Sequence, residues 1–325
     1  MDTDTPLELE ASVKSAEAAH HSFAWYRERA VWMGGLGVLC FSFTLPATSL
    51  AEPAFGSVVV GLGRALIAAV LAGIVLLVRR EVVPPRHTWG GLVCVAGGVV
   101  VGFPLFSALA LEGTPVAHSA IISGLLPALT AVGGVLRGGE RPRALFWCSC
   151  IAGVLAVLLF AIVQGGGHLQ AGDGWMLAAV GTGAVGYTEG GRLARELGGW
   201  RVICWALLLA APVLLFPVAW ELAQHGIQSS PVAWAGFAYV SVGSMFLGFF
   251  AWYYGLARGG IARISQLQLL QPLLTIVWAA LLLGEHLTLF TGASALLVVL
   301  CVAVGQWSRL HKAKRVEGQE GKEKG

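Results

Sequence analysis

Polar side chains recur on one face of an apolar stretch near residue 270. Gln268, Gln271 and Thr275 stand at i, i+3 and i+7, which places them on one side of an α-helix. Amides and hydroxyls in so apolar a segment are costly unless they face other protein groups or a wet cavity. The spacing predicts a stripe that exchanges hydrogen bonds with a polar solute. Hydrogen bonding between helices is the alternative.

A second stripe carries Ser119 and Ser123 in another apolar stretch, at helical spacing. An offset of 145 residues superposes Ser123 on Gln268. We therefore expect the two stripes to face each other across a central cavity.

Each stripe is accompanied by a proline and followed by a Gly-Glu pair. Pro127 and Pro272 each remove a backbone hydrogen bond and predict a kink, which could be a hinge for conformational change or static packing. Glu140 and Glu285 follow at the same distance from each proline. A carboxylate is disfavoured at a helix C-terminus, so we expect these two to stabilise a turn, with gating or proton coupling as the alternative.

Four further side chains could take part. Tyr187 and Trp252 are candidates for contacting a planar or cationic solute. Arg64 lies inside an apolar stretch, about two turns from its nearer end, and we expect a structural or snorkelling role, with binding of a substrate anion as the alternative. For His118 we expect capping or packing, with proton sensing as the alternative.

The composition shows what must position these residues. Of 325 residues, 56% are hydrophobic and 12% are charged, about half the charged fraction of a soluble domain. This indicates an integral membrane protein. Ten apolar stretches are long enough to cross a bilayer as helices: Val31–Leu50, Ser57–Val78, Trp89–Leu111, Val116–Leu136, Ala144–Val163, Gly174–Gly190, Val202–Trp220, Val232–Gly255, Ile264–Leu283 and Leu287–Trp307.

The charges orient these spans. Twenty of the 21 Lys and Arg residues fall in the two terminal segments and in alternate loops, and Arg64 is the exception. The positive-inside rule predicts a multi-pass protein of the plasma (inner) membrane with both termini in the cytoplasm. Residues 1–29 and 308–325 are the predicted cytoplasmic tails, the second basic and disordered. No P-loop string occurs, which excludes a P-loop ATPase on this chain.

The chain also contains an internal repeat. Between Leu111 and Glu140, ten of thirty residues are identical to those 145 positions later. This divides the protein into five-helix repeats at residues 30–165 and 172–307. Because five is odd, the repeats must be inverted in the membrane, an architecture common in secondary transporters.

The two copies of the fourth span read LLPALTAVGGVLRGGERP and LLQPLLTIVWAALLLGEHL. With the ten-span pattern, they resemble the EamA family of the drug/metabolite transporter superfamily over about residues 30 to 307. That family commonly has an arginine in its second helix, where Arg64 lies. The resemblance implies an ATP-independent carrier, often an exporter, of small metabolites, amino acids or toxic compounds.

Other classes are less well supported. Acidic side chains lie almost wholly in loops and helix ends, so no nucleophile–base pair or metal cluster can be assembled, and we expect no enzyme, cofactor or metal. An uncoupled facilitator or channel remains the alternative, as does exchange in place of proton coupling, because Glu189 and His118 are poor proton carriers. Expected partners are a small-molecule solute and the lipid bilayer, with a homodimer left open and no nucleic acid.

Overall fold

The computed structural model describes residues 28–138, 144–227, 230–259 and 264–305, and all regular elements in these ranges are helices. Almost all of the predicted tails, and Glu140, lie outside the described residues. We refer to residues 28–164 as the first half and to residues 171–305 as the second half.

Most helices coincide with predicted apolar stretches, but residues 51–56, which the sequence predicts to connect the first two spans, belong to a helix. In the first half the helices are α1 (28–42), α2 (Thr44–Val58), α3 (Arg64–Val78), α4 (Trp89–Val95), α5 (Phe103–Leu111), α6 (Val116–Ser123), α7 (Leu126–Gly138) and α8 (Ala144–Gln164). In the second half they are α9 (Ala171–Glu196), α10 (Gly199–His225), α11 (Pro231–Ala238), α12 (Phe249–Gly259), α13 (Leu270–Leu283) and α14 (Leu289–Gly305).

Seven helical stretches among the described residues are long and apolar enough to cross a membrane. The first, Glu28–Val78, contains 51 residues and is interrupted at Gly56, whose φ of 73° is not helical. The polar α9 and the shorter α14 are not among the seven. The protein is thus an all-helical membrane protein over its described residues.

Three π-helical segments interrupt the α-helices: Val59–Gly63 before α3, Ala96–Gly102 between α4 and α5, and Tyr239–Gly248 between α11 and α12. Glycines allow one of these segments to approach α9 closely. A Cβ on Gly98 would lie 2.5 Å from the carbonyl oxygen of Thr182 and 2.7 Å from the amide nitrogen of Gly186. Only a glycine permits this backbone contact, which positions the neighbouring Tyr187 against the first half.

Pairs of polar side chains join the two halves at both ends of the helix bundle. At one end, here called the His118 end, His118 Nε2 lies 2.6 Å from Asp173 Oδ1. At the opposite Arg137 end, Arg137 pairs with Glu189 at 2.5 Å and Glu81 pairs with Arg201 at 2.7 Å. Each of these pairs takes one residue from each half, so the pairs hold the halves together at both ends.

Candidate functional site

A narrow cavity lies between the two halves in the middle of the bundle. Eight lining residues come from the first half and five from the second: Phe41, Thr44, Leu45, Arg64, Val99, Phe103, Pro104, Ser123, Tyr187, Ser244, Met245, Phe249 and Gln271. Its volume is about 20 Å³, enough for roughly one water molecule. A larger solute fits only if the helices that line the cavity move apart.

Two of the three π-helical segments line this central cavity, and the other ends next to it. Arg64 directly follows the first segment, Val99 lies in the second, and Ser244 and Met245 lie in the third. A π-turn leaves part of the backbone ladder irregular and is frequent at functional sites. The convergence of these segments distinguishes the central cavity from the rest of the bundle.

Three of the predicted substrate-binding residues line this cavity: Ser123, Tyr187 and Gln271. The Oε1 atom of Gln271 has no hydrogen-bond partner. The hydroxyl of Ser123 donates to the carbonyl of Ala120 at 2.7 Å and keeps its lone pairs available. The two stripes therefore meet here through one residue from each.

The other members of the stripes lie outside the cavity lining. Gln268 is 2% exposed, and neither polar atom of its side chain has a partner. Thr275 donates to the carbonyl of Ser42 at 2.9 Å and so joins α13 to α1. Ser119 exchanges a hydrogen bond of 3.0 Å with Thr114. For Thr275 and Ser119 the alternative of hydrogen bonding within the protein is the one observed.

Aromatic side chains form a wall beside the cavity. The rings of Phe41 and Phe249 lie 4.9 Å apart, and Tyr187 lies 6.5 Å from Phe41. Trp252 is buried behind them, with its ring 6.2 Å from that of Tyr187. Trp252 thus supports the wall and does not line the cavity.

Of the two roles expected for Arg64, structural and snorkelling, the position of its side chain contradicts the second. Its side chain is 1% exposed and lines the central cavity, so it does not snorkel to a surface. Its Nε atom has no hydrogen-bond partner. The sequence places Arg64 near the end of an apolar stretch, but the fold turns its side chain inward.

The two prolines lie just after interruptions of their helices. The helix is interrupted by a turn at Gly124–Leu125, just before Pro127, which is the second residue of α7. The chain forms a 3₁₀ turn over Ser265–Leu269 before Pro272, the third residue of α13. A proline in a first helical turn costs no hydrogen bond, which explains why each break precedes its proline. The kinks occur at matching places in the two halves.

Glu285 contacts residues that are far from it in the chain, which the sequence does not reveal. Its two carboxylate oxygens accept hydrogen bonds from the backbone amides of Val116 and Ala117, at 2.7 and 2.9 Å. It therefore caps the N-terminus of α6 in the other half, and not the turn in its own half. His118, two residues along, pairs with Asp173 and is more than a packing residue.

A second cavity of about 280 Å³ lies at the His118 end, and Gln164, His118 and Glu285 are among its lining residues. Its acidic groups are already occupied, since Glu285 caps α6 and Asp173, behind His118, accepts from His118 and from the amide of Gln170. No group of three His, Cys, Asp or Glu residues in the described ranges could hold a metal ion. Two buried side-chain atoms without a hydrogen-bond partner, Arg64 Nε and Gln271 Oε1, belong to residues that line the central cavity.

Sequence reasoning missed two polar residues of the central cavity. The hydroxyls of Thr44 and Ser244 share a hydrogen bond of 2.7 Å that joins α2 to the π-helical segment of the second half. Thr44 belongs to a faint repeat in which Phe43-Thr44 matches Tyr187-Thr188, and this repeat was a signal for it. Ser244 has no comparable signal.

The family model described as "EamA-like transporter family" matches this chain twice, over residues 29–162 and 170–304. The chain belongs to that family. This confirms the resemblance seen in the fourth and ninth spans and makes the protein a membrane transporter.

Relatives of this EamA-family protein carry similar names. An "Uncharacterized transporter YdeK" of Bacillus subtilis is 46% identical over 277 residues, which are 85% of this chain and 96% of the relative. A "Probable terminal-alkyne amino-acid exporter" of Streptantibioticus cattleyicolor is 26% identical over 79% of this chain and 86% of its own length. A solved structure is 19% identical with a TM-score of 0.62, covers 86% of this chain and 98% of its own chain, and supports the fold.

Proposed function

We propose that this EamA-family transporter is a secondary, ATP-independent exporter of small polar solutes. In this proposal the two halves are inverted five-helix repeats that alternately open the central cavity to either side of the plasma membrane. The observation that carries it is a cavity built from both halves, with the unpartnered amide oxygen of Gln271 at its lining. A buried acceptor without a donor costs free energy unless a solute supplies that donor.

A topology of ten spans is part of this proposal. A helix of 51 residues would be about 77 Å long at 1.5 Å per residue, far longer than a bilayer core of ~30 Å. The non-helical Gly56 is the natural place for the chain to reverse. In our proposal α9 and α14 also span the membrane, the termini lie in the cytoplasm, and the His118 end faces outward.

The ends of the bundle provide two sets of contacts that can open in turn. Opening the His118 end separates His118 from Asp173 and Glu285 from the N-terminus of α6. Opening the Arg137 end separates Arg137 from Glu189 and Glu81 from Arg201. Since each set joins the two halves, rocking of one half against the other breaks one set while it preserves the other.

The test compares solutes inside and outside cells that express the wild type, Gln271→Leu or Gln164→Leu. Gln271 lines the central cavity, and Gln164 is an exposed glutamine that lines the cavity at the His118 end, so the second variant is a matched control. We expect export of one solute class to fall about tenfold in Gln271→Leu, because one hydrogen bond is lost. Gln164→Leu should export normally at equal membrane levels.

Normal export by Gln271→Leu together with reduced export by Gln164→Leu would place the binding site in the cavity at the His118 end. A wild type that exports nothing under nutrient and toxic challenges would contradict the exporter proposal. The second candidate is an uncoupled facilitator. In proteoliposomes, a solute that equilibrates under every ion gradient, with no counter-solute, would favour the facilitator.

A further inference from the structure

Arg64 lies where a cation is expensive. It is the first residue of α3, it is 1% exposed, and its Nε atom has no hydrogen-bond partner. Moving a guanidinium into a membrane protein interior costs several kcal/mol unless an anion and hydrogen-bond acceptors surround it. Over the described residues Arg64 forms no ion pair, and its Nε atom donates to no acceptor.

Among the described residues that line the cavity around Arg64, there is no carboxylate. The other polar groups of the cavity are hydroxyls and the amide of Gln271, all of which are neutral. In contrast, Arg137, Arg192 and Arg201 each pair with a glutamate. The position of Arg64 in the second half falls on Leu208 or Leu209, at an offset of 144 or 145 residues, so the second half supplies no matching charge. The cavity has one net positive charge.

We propose that Arg64 binds a carboxylate of the transported solute, so that the substrates are small carboxylate-bearing molecules. The planar guanidinium offers a two-pronged donor that fits a carboxylate or a phosphate. One carboxylate neutralises Arg64, whereas a phosphate dianion would leave a buried negative charge. The aromatic wall of Phe41, Tyr187 and Phe249 favours an apolar body on the same molecule. This inference rests on the proposed function.

The test measures thermal unfolding of the purified full-length protein in detergent, with matched probes. The probes are the standard L-amino acids, the carboxamides of the apolar ones, inorganic phosphate and sulfate. We expect at least one amino acid to raise the unfolding midpoint, and its carboxamide to bind at least about tenfold more weakly, because the charge-assisted hydrogen bonds are lost. Equal shifts from acid and carboxamide, shifts from phosphate or sulfate alone, or no shift from any amino acid would overturn the inference.

Two variants separate binding from structure. Arg64→Met should lose the amino-acid shift, while its midpoint without ligand should equal or exceed that of the wild type, because an unpaired buried cation is removed. Arg64→Lys keeps the charge without the two-pronged geometry and should retain a weaker shift. A lower ligand-free midpoint in Arg64→Met together with an unchanged amino-acid shift would make Arg64 structural.

Transport in cells distinguishes this inference from the proposed function. If the wild type exports a solute without a carboxylate, and Arg64→Met exports it equally well, the exporter proposal stands and the anion site fails. If the wild type exports no solute at all, the exporter proposal itself fails. Loss of export of a carboxylate-bearing solute in Arg64→Met, with Arg64→Lys partly active, supports both.

Discussion

Glu189 and Arg64 are both buried charges in this bundle, and their surroundings are opposite. Glu189 is 2% exposed and receives two guanidinium groups, Arg137 at 2.5 Å and Arg192 at 3.0 Å. Arg64 is 1% exposed and lines a cavity without a carboxylate. Within the described residues, the protein supplies counter-charges for Glu189 and none for Arg64.

This contrast indicates that the two sites have different roles. The partners of Glu189 come from both halves, so its ion pairs hold the Arg137 end together. Arg64 forms no ion pair with the described residues, and in our proposal the solute supplies its counter-charge. The two sites therefore predict opposite effects of substitution on stability.

The largest effect is expected at the Arg137 end. The double variant Arg137→Met/Arg192→Met leaves the buried carboxylate of Glu189 without a cation and should lower the unfolding free energy by about 3 kcal/mol. The value lies at the lower end for a buried pair because the side chains of Arg137 and Arg192 are 65% and 50% exposed. The thermal unfolding midpoint measures it. Arg195→Met, an exposed arginine on the same helix, is the control and should be neutral. A double variant as stable as the wild type would remove the contrast.

A smaller effect of opposite sign is expected when the cavity receives its own anion. Ser244→Asp places a carboxylate in the cavity that Arg64 lines and should raise stability by about 1–2 kcal/mol, because the buried cation gains a counter-charge. The new carboxylate can still accept a hydrogen bond from the Thr44 hydroxyl, which is bonded to Ser244 in the wild type. The variant should also abolish the amino-acid shift of the unfolding midpoint. Ser241→Asp, on the same π-helical segment but outside the cavity lining, should instead destabilise the protein. If both variants lose stability equally, Arg64 is not a buried cation that lacks a counter-charge.

The smallest effect is expected at Glu285, a half-buried carboxylate whose two oxygens are already used. Glu285→Gln keeps one acceptor but loses the charge at the N-terminus of α6, and should cost about 1 kcal/mol. The unfolding midpoint should fall slightly, while the amino-acid shift stays at the wild-type size. Loss of that shift would show that the His118 end and the central cavity are tightly coupled. Glu285→Asp keeps the charge on a shorter side chain. Comparing it with Glu285→Gln distinguishes the effect of the charge from the effect of side-chain length.

The helices themselves were predictable, because a helix in lipid must satisfy its backbone internally and needs a long apolar stretch. The interruptions near Pro127 and Pro272 were also predicted, because proline disfavours a continuous helix. The rule is not general in this chain, since Pro212 and Pro217 both lie inside the continuous helix α10. The π-helical segments were not predictable, because nothing in sequences such as AGGVVVG separates a π-turn from an α-turn. Gln271 was found by its spacing, whereas Ser244 was not, since one serine in an apolar run has many possible neighbours.

The sequence by itself determined the class of this protein. Its composition requires a lipid environment, its repeat requires two related halves, and its fourth and ninth spans identify the family. These properties depend on sums over many residues or on matches along the chain, which a sequence displays directly.

Only the tertiary structure decided which polar groups are satisfied. Whether Thr275 faces Ser42, whether Glu285 reaches the helix of the other half, and whether Arg64 has an anion all depend on residues far away in the chain. Buried polar groups are stabilised or destabilised by atoms within about 3 Å, and such distances are fixed by the packing of helices and not by their order.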